Sequence, residues 1–397
     1  MWRALASNAL TLIVLLLIVI SGLLAWGREV YTGSGPLAEA ACFKVERGAT
    51  LSAVSRRLEA EGVVSDARIF RIAADYDDRE GQLKFGSYLV PPRATMGEVL
   101  EILTGGGQST CGREVNFRIG VAAAAVVLRE LDPATQHYVE VAKFDPAVDA
   151  VPAAYLDAAA NDDVRYRVTL AEGVTSWQVV ETLKRADFLQ GEVATRPPEG
   201  SLAPDSYEVA RGGDRTKLIA EMTARQAATM AELWPLRAEG LPYATQEEAM
   251  VMASIVEKET GIPEERPKVA SVFVNRLKRG MKLQTDPAVI YGVTKGEGLL
   301  GRGLRQSELR RETPWNTYVI DGLPPTPIAN PGRLSIEAAL NPDTTPYLFF
   351  VADGTGGHAF AETLEQHNAN VTRWREIEKA RAAEGVVEDG VTGVQGE

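Results

Sequence analysis

The chain of 397 residues has only two cysteines and three histidines. That count excludes a cysteine-rich zinc module and an iron–sulfur protein. Positive charge is also short: 42 Lys and Arg stand against 54 Asp and Glu, a formal net charge of -12. Phosphate binding needs a basic face, so no nucleic-acid partner is expected. His358 and His367 lie nine positions apart, with no third histidine and no acidic partner at ligand spacing. They read as structural or substrate-facing, and no metal or other cofactor is expected. With 45% hydrophobic and 24% charged residues the chain is not wholly disordered, and its length suits two to three domains.

The composition is uneven, and the exception lies at the front. Residues 9–26 read ALTLIVLLLIVISGLLAW, an 18-residue run without a charge. At about 1.5 Å per residue it spans most of a hydrocarbon core roughly 30 Å thick. Arg3 precedes it, and Trp26 sits at its far edge as an interfacial anchor. The reading is a cytoplasmic tail over 1–8 and a single transmembrane helix over 9–27. Everything after Arg28 is then exported, from the inner membrane into the periplasm. A cleaved signal peptide is the alternative, but the apolar core is long for one and no small-x-small site follows directly. Ala40-Ala41-Cys42 resembles the end of a lipoprotein cleavage box, yet it lies beyond a polar stretch. Beyond residue 28, 40 basic residues face 54 acidic ones, about -14 in charge, which favours standing off an anionic membrane surface.

An exported chain meets oxidising conditions. Cys42 and Cys111 could then close a loop of about 70 residues, worth about 4 kcal/mol in the chain-entropy model. Two buried free thiols are the alternative.

Residues 28–41 read as a polar linker. A strand follows at Phe43-Lys44-Val45, and Thr50 caps a helix in which Leu51, Val54 and Leu58 recur at helical spacing. A second helix covers Ala67–Tyr76, a strand covers 85–90, and a helix from Thr95 to Leu103 stops at Gly105-Gly106-Gly107. This βααβ order over 42–111 looks like a small LysM-type glycan-binding module. Residues 112–165 show only weakly patterned strands and read as an inserted segment of unknown role. Patterns return at 166: a strand at 168–170, a helix capped by Thr175, a turn at Pro204–Tyr207 into a strand, and a long helix capped by Asp214. The fold class is α+β. Residues 382–397 read as a disordered tail.

Thr245-Gln246-Glu247-Glu248 is a capping box and opens a helix that Gly261 and Pro263 end. At about 100° per residue, Ala249, Val251, Met252, Ala253, Ile255 and Val256 fill one apolar arc. Glu259 lies inside that arc and in the last turn. Burial and the negative end of the helix dipole both favour its protonated form, as a general acid requires. Glu257 lies near the arc's edge and is the fallback. A helix that ends with Glu259 turned to solvent or paired with an arginine is the plainer alternative. The loops that follow combine prolines with amides, hydroxyls and aromatic rings, a mixture suited to sugars. From them Gln284, Asp286, Tyr291, Asn316 and Tyr318 are expected to position substrate.

The runs Ala253–Thr260, Val269–Leu277, Leu283–Pro287, Pro346–Val351, Gly357–Phe360 and His367-Asn368 together resemble the endolytic murein transglycosylase, or YceG-like, family. The resemblance implies a catalytic domain over 166–381, with Glu259 as the catalytic residue. It also implies peptidoglycan glycan strands as substrate, cleaved at the MurNAc–GlcNAc β-1,4 bond to leave 1,6-anhydro ends. Termination of nascent strands and company with cell-wall synthases are implied as well. Two other readings stay open: a non-catalytic, membrane-tethered peptidoglycan-binding scaffold, and a hydrolase in which Asp286 or Glu264 activates water.

Overall fold

The computed structural model describes residues 2–105, 110–161 and 163–383. Helix α1 (Trp2–Thr32) opens the chain. Its stretch Thr11–Thr32 is long and apolar enough to cross a membrane, and its apolar window is not buried in the protein. Residues 28–32, expected in a linker, continue this helix. Nothing between Arg28 and Thr32 breaks it, and Val30 and Tyr31 pack against the neighbouring core.

Next come β1 (Ala41–Val45), α2 (Leu51–Ala60), α3 (Ala67–Tyr76), β2 (Gly86–Val90) and α4 (Met96–Thr104). The caps follow from local chemistry. The Thr50 hydroxyl accepts from Ala53 N–H, and Thr95 with Glu98 forms a capping box. β1 and β2 pair antiparallel, Phe43 opposite Tyr88. Phe43, Val54, Leu58, Phe70, Val90, Leu100 and Leu103 form their core. Gly105 is the C-cap of α4, while Gly106 and Gly107 lie outside the described residues. Cys42 and Cys111 are joined in a disulfide with Cα atoms 5.7 Å apart.

Residues 112–165 are as regular as their neighbours. They form β3 (Arg113–Ile119), β4 (Ala124–Asp132), β5 (His137–Phe144) and α5 (Ala153–Ala159) and lead into β6 (Arg165–Leu170). Then follow α6 (Ser176–Leu183), β7 (Leu189–Gln190), β8 (Ser206–Val209), β9 (Gly213–Asp214) and α7 (Arg215–Leu233). One five-stranded sheet runs in the order β5–β4–β3–β6–β8, with β6 and β8 antiparallel; β7 and β9 form a short parallel pair.

The rest is α8 (Gln246–Glu259), α9 (Arg266–Lys278), α10 (Asp286–Thr294), α11 (Gln306–Leu309), α12 (Arg333–Leu340), the hairpin β10 (Phe349–Ala352) and β11 (His358–Ala361), and α13 (Leu364–Ala383). The architecture is mixed α+β, as expected. The tail beyond Ala383 lies outside the described residues.

The chain divides into two compact units. One holds Met1–Asn116, Val127–Phe144 and Ala150–Arg165; the other holds Phe117–Val126, Asp145–Asp149 and Tyr166–Glu397. The core of the second unit is α8, α9 and α12 packed through Met252, Ile255, Val256, Val269, Phe273, Ile336 and Ala339, with Phe350 from the hairpin. The candidate site lies wholly in this unit.

Candidate active site

Helix α8 carries the central carboxylate. Thr245 caps it with the expected capping box to Glu248. Its apolar residues Val251, Met252, Ala253, Ile255 and Val256 are all buried. A residue about four turns past the cap on that same face must enter the core. Glu259 does so as the last residue of the helix, and Thr260 then turns extended. The Glu259 side chain is buried, and its Oε1 has no hydrogen-bond partner. Burial pushes its pKa up to about 7; the Thr285 hydroxyl opposes this, Asp286 adds to it and Arg276 opposes it. The Thr285 Oγ1 lies beside the carboxylate yet, like Glu259 Oε1, closes no hydrogen bond.

The segment Leu283–Asp286 faces this carboxylate. Gln284 adopts a left-handed backbone (φ 54°), an uncommon conformation for a side chain of its size. Its N–H donates to the Thr317 carbonyl at 3.1 Å. The Thr317 hydroxyl then clasps Thr285 on both sides, accepting from its N–H at 2.9 Å and donating to its carbonyl at 3.1 Å. Asp286 opens α10, and its Oδ1 accepts from the Tyr318 hydroxyl at 2.7 Å. Burial raises the Asp286 pKa, and the Tyr318 bond partly offsets that rise.

Arg276 of α9 ties the segment together from behind. It is buried, donates to the carbonyls of Leu348 (2.6 Å) and Leu283 (2.9 Å) and to Gln284 Oε1 (3.2 Å), and lies 5.1 Å from the centre of the Phe349 ring. Burial pulls its pKa down to about 10.

Glu257, two residues before Glu259, turns to the other side of the helix. Its Oε2 accepts from the Gly332 N–H at 3.0 Å, and its Oε1 lies 3.5 Å from Arg266 Nη2. The same Nη2 bonds Glu172 Oε2 at 3.0 Å. Glu257 thus fastens α8 to α9 and to the start of α12.

The profile of the YceG-like family matches residues 43–142 and 143–373. The chain belongs to the YceG-like family. Among its relatives is an endolytic murein transglycosylase of Bacillus subtilis, 37% identical over 172 residues, 43% of this chain and 46% of that protein. Another, from Streptococcus pneumoniae serotype 2, is 33% identical over 180 residues, 44% of this chain and 31% of that protein. The chain thus spans less than half the length of these curated relatives. A crystal structure of a YceG-like protein from Listeria monocytogenes aligns over 84% of this chain and 99% of that one, at 24% identity and a TM-score of 0.44.

Within the YceG-like chain, the expected substrate-positioning residues fall into three places. Asp286 acts directly on Glu259, while Tyr318 is bonded to Asp286 and Gln284 to Arg276. Tyr291 belongs to a neighbouring cluster: its hydroxyl donates to Glu199 Oε2 at 3.2 Å, and its ring lies 5.7 Å from that of Trp315. Asn316 is fully buried. Its Nδ2 donates to the carbonyls of Glu308, Leu309 and Arg311, and its Oδ1 accepts from the Tyr318 N–H. It therefore shapes the loop that presents Tyr318 rather than facing a ligand.

His358 Nδ1 pairs with Glu265 Oε2 at 2.7 Å, and His367 stacks on Phe349 at 5.2 Å. Among the described residues no group of three or more His, Cys, Asp or Glu could hold a metal. Sequence reasoning missed Arg276 and Thr285. Both stand inside family-like runs, 269–277 and 283–287, but nothing local marked either as a neighbour of Glu259.

Proposed function

We propose that this protein is a membrane-anchored endolytic murein transglycosylase in which Glu259 is the acid and then the base. The observation that carries the reading is the buried carboxylate of Glu259, its pKa raised to about 7, set beside a constrained polar loop. Family membership and the names of the relatives support the same chemistry. A raised pKa lets a carboxylic acid hold its proton near neutral pH and donate it. Glu259 gives that proton to the glycosidic oxygen between MurNAc and GlcNAc as the C1–O bond breaks. The resulting carboxylate takes the proton of the sugar's own C6 hydroxyl, whose oxygen bonds to C1 and closes the 1,6-anhydro ring. Atoms and charge balance without water. Two-carboxylate glycosidases need a second acid group as nucleophile or base. Asp286 is the nearest candidate for one, and its bond to Tyr318 suits a positioning role instead.

The βααβ arrangement of β1–α2–α3–β2 and its antiparallel pair support a LysM-like glycan-binding module over 42–111. Helix α1 supports a single-pass anchor, with the N-terminus cytoplasmic and the remainder periplasmic. In that setting cleavage would end nascent glycan strands beside the synthases that extend them.

Digestion of murein sacculi by wild type and Glu259→Gln, with mass analysis of the products, tests the proposal. Anhydro-ended fragments from wild type and none from Glu259→Gln are expected. Hydrated ends would make the protein a hydrolase, no products a scaffold, and activity in Glu259→Gln would remove Glu259 from its role.

A further inference from the structure

Thr285 sits at the N-cap of α10, where a threonine hydroxyl ordinarily accepts a backbone N–H of the first turn. Here it makes no such cap. Forgoing a cap is destabilising. The hydroxyl is instead fully buried without a partner, a second cost to the fold. Its backbone cannot relax to recover the cap, because the Thr317 hydroxyl holds both its N–H and its carbonyl. The left-handed Gln284 before it is pinned to the Thr317 carbonyl and to Arg276. The surroundings therefore aim the Thr285 hydroxyl away from its own helix. The other orphaned oxygen at this place is Glu259 Oε1.

We propose that Thr285 is a positioning residue for Glu259: its hydroxyl accepts a hydrogen bond from the protonated acid and donates one to the carboxylate. The inference rests on Glu259 being the acid–base residue. A hydroxyl both donates and accepts, so by rotating it can serve either state. A lysine or arginine in its place would favour the carboxylate only. The other groups around the carboxylate cannot follow its proton. Arg276 is a cation committed to carbonyls, Asp286 accepts from Tyr318, and Glu257 and Lys258 on α8 point elsewhere, to Gly332 and Gly173. Substrate binding that expels water would shorten the Thr285–Glu259 contact into a closed bond. One carboxylate could then act in both halves of the reaction without being stranded in a water-poor site.

The test compares Thr285→Val, which keeps the shape and removes the hydroxyl, with Thr285→Ser, which keeps the hydroxyl. The reading is the pH dependence of sacculus cleavage, together with the infrared carboxyl titration of Glu259 assigned by difference against Glu259→Gln. Thr285→Val is expected to lower kcat about ten- to hundredfold with little change in KM. It should also move the Glu259 titration and the alkaline limb of activity upward by about one pH unit, because the carboxylate loses its donor. Thr285→Ser should return both towards wild type. A Thr285→Val protein that titrates and cleaves as wild type would overturn the inference, and so would one that loses only thermal stability. Failure of the underlying reading is separate: Glu259→Gln would then remain active, whatever Thr285→Val does.

Discussion

Glu257 and Glu259 are two residues apart and carry the same functional group, so the sharpest test is one that separates their roles. Glu257→Gln keeps the side-chain shape and an oxygen for the Gly332 N–H, but removes the charge opposite Arg266. At 3.5 Å and an effective dielectric of about 20, that charge pair is worth about 5 kcal/mol. Two effects reduce the loss. Glu172 remains 3.0 Å from the same guanidinium, and the variant no longer desolvates a second carboxylate. A net destabilisation of about 2–3 kcal/mol remains. In a domain of this size it should lower the melting temperature by about 5–10 °C. Thermal unfolding by circular dichroism reads the stability, and anhydromuropeptide release at 25 °C reads the chemistry. Glu257→Gln should melt earlier yet keep most of its activity, whereas Glu259→Gln should fold normally and be inactive. A Glu257→Gln protein as stable as wild type but a thousandfold less active would refute the division of labour and make Glu257 the acid.

Two further outcomes are expected. Glu259 has a folded-state pKa raised to about 7, above its unfolded value, so it favours folding most at acid pH. That contribution, on the order of 3 kcal/mol, fades as pH rises from about 4.5 through 7. Denaturant unfolding of wild type should therefore show a stability decline over that window that Glu259→Gln lacks; equal slopes would refute it. Reducing the Cys42–Cys111 disulfide opens a loop of 69 residues and should destabilise the unit that contains it by about 4 kcal/mol, read as a lower melting temperature in reductant.

Much of the fold was legible because helix caps are local chemistry. Thr50, Thr95, Thr175, Asp214 and Thr245 each start a helix as their sequence context predicted, since cap and capped N–H lie within three residues. Strands β3, β4 and β5 were not legible. Their alternation is weak, and strand order in a sheet is set by partners far along the chain. The continuation of α1 past residue 27 was likewise missed, because the packing of Val30 and Tyr31 on the adjacent core is a contact distant in the chain.

At the site, the 3.6-residue period alone was enough to place Glu259 on a buried face, because periodicity encodes which side of a helix meets the core. The same period put Glu257 near the edge of that face, but it could not say that Arg266 and the Gly332 N–H would be waiting there. It could not distinguish Asn316, whose amide is closed on three loop carbonyls, from Gln284, whose amide oxygen accepts from Arg276. An amide reads the same in sequence whether it binds a sugar or its own loop. Thr285 likewise reads as an ordinary helix cap, and only the clasp of Thr317 diverts its hydroxyl towards Glu259. The sequence by itself determined that α8 carries Glu259 on its buried apolar face. Only the tertiary structure decided what surrounds that carboxylate, because Arg276 of α9 and Thr285 and Asp286 at the start of α10 come to it through packing between segments distant in the chain.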